Sequence, residues 1–422
     1  MLEAITVKLE VTAALAFLAA VGCGQTARDP AGGSGGAAGG DGGSGATGGV
    51  GSGGTSGTPA IECAGKHWTR LAVPAGGSYR QGHGAARWTD QILIWGGAGA
   101  EPGEFPEGGW RVFSNGTSIA LPAAGAPSPR GAHAVDVLGN RLLVFGGGAY
   151  AAPPVNDGAS LNLETDVWSA LPNPGALLPP RYYALSGAAG GRWLVWGGLN
   201  PDLGGTLSDA ALFDPATGSW IGVAGKAPLP TSLSEPRALA RGGTDVGPAA
   251  FGFGAGAIPG YGYDPVLADW WEMPSTGAPS AREGASLTWS ASTSEFIAWG
   301  GYDDTGARAD GARYSTVTGT WKSMTTADAP SPRYSHYAAV LGTKLVVWGG
   351  REKVSSVATG GVYDLATDTW GPLPTDECAP PARSQATFTA FGDGKRALLW
   401  GGVPEPQSYD EPGTDQGWLL EL

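Results

Sequence analysis

Six short apolar runs between residues 92 and 400 each end in an aromatic residue followed by two glycines. They are Ile92–Trp95, Leu142–Phe145, Trp193–Trp196, Phe296–Trp299, Leu345–Trp348 and Ala397–Trp400. Runs this short, bounded by glycine and rich in aliphatic and aromatic residues, predict buried β-strands rather than helices. A weaker copy, running from Ala249 to Phe253 with glycines at 252 and 254, fills the gap between the third and fourth. Successive copies lie about fifty residues apart, the spacing of propeller blades.

Two flanking features keep the same phase. Upstream of each run stands an arginine: Arg80, Arg130, Arg181, Arg237, Arg282, Arg333 and Arg383. Downstream comes an aromatic residue with aspartate, a turn and a tryptophan, clearest at Phe213, Asp214 and Trp220 and at Tyr363, Asp364 and Trp370. Looser copies fall at Tyr263 with Trp270, Tyr314 with Trp321, and Leu163 with Trp168. Each unit therefore holds four short strands. Seven such units predict an all-β fold, a seven-bladed β-propeller over residues 61–422.

This three-part pattern resembles the kelch repeat of galactose-oxidase-like propellers. The resemblance implies that the glycine pair closes the second strand of each blade and that the tryptophan lies on the outermost strand. The seventh unit, from Arg383 to Leu422, lacks that outer strand, while His67–Pro74 reads as an outer strand with no blade before it. The expectation is that Trp68 completes the seventh blade, so that no sheet edge is left open.

The N-terminal segment has a different character. An apolar stretch from Val11 to Val21 is too short to span a bilayer and suits a signal-peptide core. Ala20 to Cys23 is similar to the lipobox of bacterial lipoproteins. That resemblance implies a signal over residues 1–23, a diacylglyceryl group on Cys23, and a place in the bacterial cell envelope, at the periplasmic face of the outer membrane or the cell surface. The other reading is an ordinary cleaved signal with Cys23 incidental. Residues 24–60 are mostly Gly, Ser, Ala and Thr, the composition of a disordered tether.

Composition narrows the function. The chain holds 74 glycines, 33 prolines and 17 tryptophans with 15% charged residues, which favours strands and tight turns over helices. A formal net charge of −13 excludes a basic nucleic-acid footprint and a polybasic membrane patch. Besides Cys23, the available cysteines are Cys63 and Cys378, a possible disulfide in an exported protein. The strand reading places Cys378 on the face opposite the start of the Trp68 strand, which opposes that bridge.

The loops between second and third strands carry Glu101, Glu104, Glu107, Asp202, Asp209, Asp303, Asp304, Asp310, Glu405, Asp410, Glu411 and Asp415 without the regular spacing of a calcium loop. They read as a solvated rim, and no metal or cofactor is predicted. The seven arginines form a candidate ring at the channel mouth, either bonding carbonyls of a neighbouring blade or binding an anion. His83, His133 and His336 each follow an arginine by three positions and read as structural. Kelch-like copper oxidases use tyrosine, cysteine and two histidines, a set for which Cys63 and Cys378 are poorly placed. The expected function is a non-enzymatic module that binds a protein or carbohydrate partner at its loop face. The rival is a carbohydrate-active enzyme of the sialic-acid epimerase or mutarotase type, acting on an acidic sugar.

Overall fold

The computed structural model describes residues 67–72, 80–99, 103–149, 152–223, 239–241, 247–251, 260–353, 355–404 and 417–422. The signal-like segment, the tether, Cys23, Cys63 and Arg237 lie outside these residues, as do the rim acids Glu101, Glu405, Asp410, Glu411 and Asp415. The described residues form seven four-stranded antiparallel sheets, and six of them run in simple chain order. The first strands of the blades are Gly84–Trp88, Ala134–Leu138, Leu185–Ala189, Leu239–Arg241, Ser286–Ser290, Tyr337–Leu341 and Thr387–Ala390. Each lies against the first strand of the next blade, and the seventh lies against the first, so the ring is closed around them.

The apolar runs are the second strands, and their unbroken hydrophobicity has a simple cause. Alternate residues of a strand point to opposite faces. In the second blade, Leu142 and Val144 pack with Leu93 and Trp95 of the first blade. Leu143 and Phe145 pack with Trp193 and Val195 of the third. Both faces are therefore interior, and alternation disappears as it does in parallel sheets covered on both sides. Burying each such side chain contributes roughly 1.5–3 kcal/mol. The weak fourth copy still forms a second strand, Pro248–Phe251, paired on both sides. Phe253 lies outside the described residues.

The aromatic-aspartate signature closes the outer hairpins. Asp364 Oδ1 accepts the backbone N–H of Ala366 at 2.9 Å and of Thr367 at 3.1 Å, and Asp214 and Asp264 do the same in their blades. Such side-chain bonds to the backbone two and three residues on favour a turn over a continued strand.

The seventh sheet joins the two ends of the propeller. Its order is Thr387–Ala390, Arg396–Trp400, Gly417–Glu421 and then Trp68–Arg70. Trp68 pairs with Leu420 and Arg70 with Trp418, so the expected closure is present. Trp68 is fully buried.

Candidate functional site

Arginine, histidine and the Trp-Gly-Gly block prove to be parts of one joint between neighbouring blades. In four of the joints the second glycine of the pair donates its N–H to the backbone carbonyl of the next blade's arginine. This bond measures 3.0 Å from Gly97 to Arg130, 2.8 Å from Gly147 to Arg181 and 2.9 Å from Gly301 to Arg333. From Gly402 of the seventh blade to Arg80 of the first it is 3.0 Å. The first glycine is needed for a separate reason. A Cβ on Gly96 would sit 2.6 Å from the Arg130 carbonyl oxygen and 2.4 Å from His133 Cε1, and its φ of +68° is left-handed.

The guanidinium groups turn back onto their own blades. Nη1 of Arg80, Arg130, Arg181, Arg282, Arg333 and Arg383 donates to the carbonyl of the first glycine in the same blade, at 3.0, 3.3, 2.8, 3.2, 3.0 and 2.6 Å. None of these six arginines is more than 3% exposed. A buried charge needs partners, and each blade supplies them. Arg130 meets Asp157 at 2.5 Å, Arg282 meets Asp310 at 2.9 Å, Arg333 meets Glu352 at 3.2 Å, and Arg181 pairs with Asp209. Arg80 uses the carbonyls of Glu107 and Gly108 at 2.7 and 2.9 Å. Arg383 lies 4.0 Å above the Trp418 ring. The expected bonding to a neighbouring blade is thus carried by the arginine backbone, while the side chain clamps its own blade.

Two rim acids, Asp209 and Asp310, are therefore counter-ions of the ring. Burial raises the Asp310 pKa, but Arg282 and Arg308 outweigh it and hold the carboxyl below its usual range. Asp303 is held down at about 2, chiefly by the Thr305 hydroxyl.

The histidines fill the remaining space of the joint. His133 stands edge-on to Trp95 of the preceding blade with centroids 4.9 Å apart, and His336 stands likewise to Trp299 at 5.0 Å. His336 Nε2 lies 2.8 Å from the Ser286 hydroxyl, and His83 Nε2 lies 2.9 Å from that of Thr387. Gly84 occupies the equivalent place before His133, because a Cβ there would meet Val135 Cγ2 at 2.4 Å. Burial, reinforced by the adjacent arginine, lowers the pKa of both His83 and His133 to about 3. Both are neutral at physiological pH and far from the range of a general acid or base.

Two further arginines, not anticipated from the repeats, buckle blades together at the third strand. Arg313 forks onto Glu295 at 2.9 and 3.1 Å and donates to the Leu365 carbonyl of the sixth blade at 2.7 Å. Arg111 reaches the Leu163 carbonyl and Asp166 of the second blade at 3.3 and 2.6 Å. The signal was a charge inside an apolar strand, present in two blades only.

The position of Cys378 corrects the reading made from the strands. It packs on the cluster containing Trp68, Trp348 and Trp418, and it is disulfide-bonded. Asp376 Oδ2 accepts the N–H of His67 at 3.2 Å, so Cys378 lies beside the start of the Trp68 strand and not opposite it. The strand reading set this part of the linker after the sixth blade on the opposite face. The linker instead runs along the closing strand, where the Pro374 carbonyl receives Trp68 Nε1 at 3.1 Å.

The loop face above these joints carries two-residue ribbons, such as Leu199–Asn200 with Gly205–Thr206 and Tyr302–Asp303 with Gly306–Ala307. Half-exposed Tyr302 stands 5.6 Å from the ring of Tyr334 in the sixth blade, and Arg308 is partly exposed nearby on the same ribbon.

The model of the KLHDC2/KLHL20/DRC7 Kelch-repeats domain matches residues 48–244 and 261–413. A tRNA wybutosine-synthesizing protein 2/3/4 of Oryza sativa subsp. japonica is 31% identical over 132 residues, 31% of this chain and 12% of that protein. Kelch domain-containing protein 1 of Mus musculus is 35% identical over 96 residues, 22% of this chain and 23% of that protein. The chain thus matches less than a quarter of either relative's length. Among solved structures, a fungal alcohol oxidase of the AA5 family in complex with copper superposes with a TM-score of 0.59 at 16% identity, covering 84% of this chain and 75% of that one. This likeness concerns the fold. Among the described residues the set does not fit a copper site, since Cys378 is engaged in a disulfide and His83, His133 and His336 are separated into different joints. No group of three or more His, Cys, Asp or Glu able to hold a metal occurs among the described residues.

Proposed function

The chain belongs to the kelch-repeat family, and from that premise we propose that it is a non-enzymatic binding module, contacting a protein or glycan partner through its loop face. In this reading Cys23 carries a lipid anchor, and residues 24–60 hold the propeller away from a bacterial envelope membrane. Kelch propellers serve generally as interaction modules. Fold alone does not assign a ligand, so the reading rests on the site. The observation that carries it is the commitment of every described ring arginine to its own blade's carbonyls, together with the histidines packed in the joints. What varies from blade to blade is the ribbon layer, where Tyr302, Tyr334 and Arg308 offer ring faces and donors suited to peptide or sugar surfaces.

The test is thermal unfolding of the full chain against acidic sugars, neutral glycans and envelope proteins. A partner present at 100 times its Kd adds about 2.7 kcal/mol of apparent stability. The expected result is a shift abolished by Tyr302→Ala with unchanged basal stability. Chemical conversion of an added acidic sugar, followed by NMR, would overturn the non-enzymatic reading. Metabolic labelling with a fatty acid, lost in Cys23→Ser, tests the anchor.

A further inference from the structure

We propose that Cys63 is the disulfide partner of Cys378 and that this bridge is a covalent clasp on the propeller ring. Cys378 is disulfide-bonded, and the chain's two other cysteines are Cys23 and Cys63. The choice between them follows from one carboxylate. Asp376 Oδ1 accepts the N–H of Cys378 at 2.9 Å, while its Oδ2 accepts those of His67 at 3.2 Å and Trp68 at 3.4 Å. A single side chain thus binds the backbone of Cys378 and the backbone that starts the closing strand. From His67 back to Cys63 the chain can reach roughly 13–14 Å, at 3.3–3.6 Å per residue, which is ample for the bridge. Cys23 lies forty residues further away along a Gly- and Ser-rich stretch, where the chance of meeting Cys378 falls steeply with length.

The bridge has a mechanical task at this place. In the six other blades the four strands follow one another in chain order. The seventh depends on Trp68–Arg70, a three-residue strand held at the edge by Gly417–Glu421. Strands this short are marginal by themselves. A bond from Cys63 to the linker that follows the sixth blade holds the strand from its free end, so Trp68 cannot fray outward. The chemistry balances by exchange. One thiolate attacks an external disulfide oxidant to give a mixed disulfide, and the second displaces the oxidant's thiol, so two electrons and two protons leave the pair. Such a bond persists in an oxidising compartment.

The experiment uses the full chain. Peptide mass spectrometry without reduction should find Cys63 joined to Cys378. Cys63→Ser and Cys378→Ser should each lower Tm by about 4–8 °C, the double variant no further, and a reductant should bring the native chain to the same value. Cys23→Ser should leave Tm unchanged. If either bridge variant fails to fold, hydrogen exchange on the native chain before and after reduction gives the same answer, with the amides of Trp68–Arg70 losing protection ahead of the first blade. A Cys23–Cys378 peptide would overturn the pairing. A linked Cys63–Cys378 peptide without any change in Tm or exchange would overturn the clasp.

Discussion

Trp68 Nε1 donates to the Pro374 carbonyl at 3.1 Å across 306 residues of sequence. The same bond recurs with ordinary chain spacing in other blades, from Trp168 to Pro122, Trp220 to Pro172 and Trp370 to Thr325. The N-terminal strand therefore fills the outer slot of the seventh blade down to its side-chain hydrogen bond. Removing that side chain should expose what the closure is worth. Trp68→Ala is expected to cost about 3–5 kcal/mol, the usual loss for a fully buried aromatic, read as a lower urea midpoint.

The ring arginines should behave as cement. Arg333→Ala removes the guanidinium donor from the Gly349 and Thr359 carbonyls, bonded at 3.0 and 2.8 Å, and leaves Thr359 only the Gly349 N–H. A destabilisation of about 2–4 kcal/mol is expected in chemical denaturation, with no selective loss of partner affinity at native temperature. Retained stability with lost binding would return the arginines to the ligand site.

Glycine at the end of the second strand should be intolerant for steric reasons that a control can isolate. Gly96→Ala combines a left-handed φ of +68° with close contacts to Arg130 and His133. Gly139→Ala has a φ of +59° and nothing near the added methyl. The control should lose about 1 kcal/mol in urea unfolding from backbone strain, and Gly96→Ala clearly more.

Acid should loosen the joints before it reaches the carboxylates. Burial holds His83 and His133 at about 3 in the folded chain, well below the ordinary 6.5 of histidine, so the native state favours their neutral form. Their contribution is complete above pH 6.5 and is lost as pH falls from there toward about 3. Each can contribute a slope of up to about 1.4 kcal/mol per pH unit in that window. Tm measured between pH 7 and 4 should fall accordingly, and His133→Met should flatten the curve. Asp303, held at about 2, adds to the loss only at lower pH.

The repeat was legible because each blade must solve the same packing problem, so Trp95, Arg130 and His133 recur in phase with their equivalents. Ring closure was legible too, since Trp68 had no other blade to serve. The partner of each guanidinium was not, because spacing cannot tell whether an arginine's backbone or its side chain spans the joint. Nor could the repeats reveal Arg111 and Arg313, which only two blades use. Cys378 was misplaced for a related reason. Linkers carry no period, and its location depends on Asp376 gripping the backbone of His67.

The pairing of Trp68 with Leu420 also imposes an order in time. The closing strand is among the first parts of the propeller to be synthesised, and its partner is among the last. At 5–20 residues per second the wait over roughly 350 residues is about 20–70 s. During that interval six complete blades can form while Trp68 remains an unpaired apolar strand at the growing chain's leading end. The propeller is thus finished by its beginning, and its period of greatest exposure to aggregation or to a chaperone ends only when the last residues arrive.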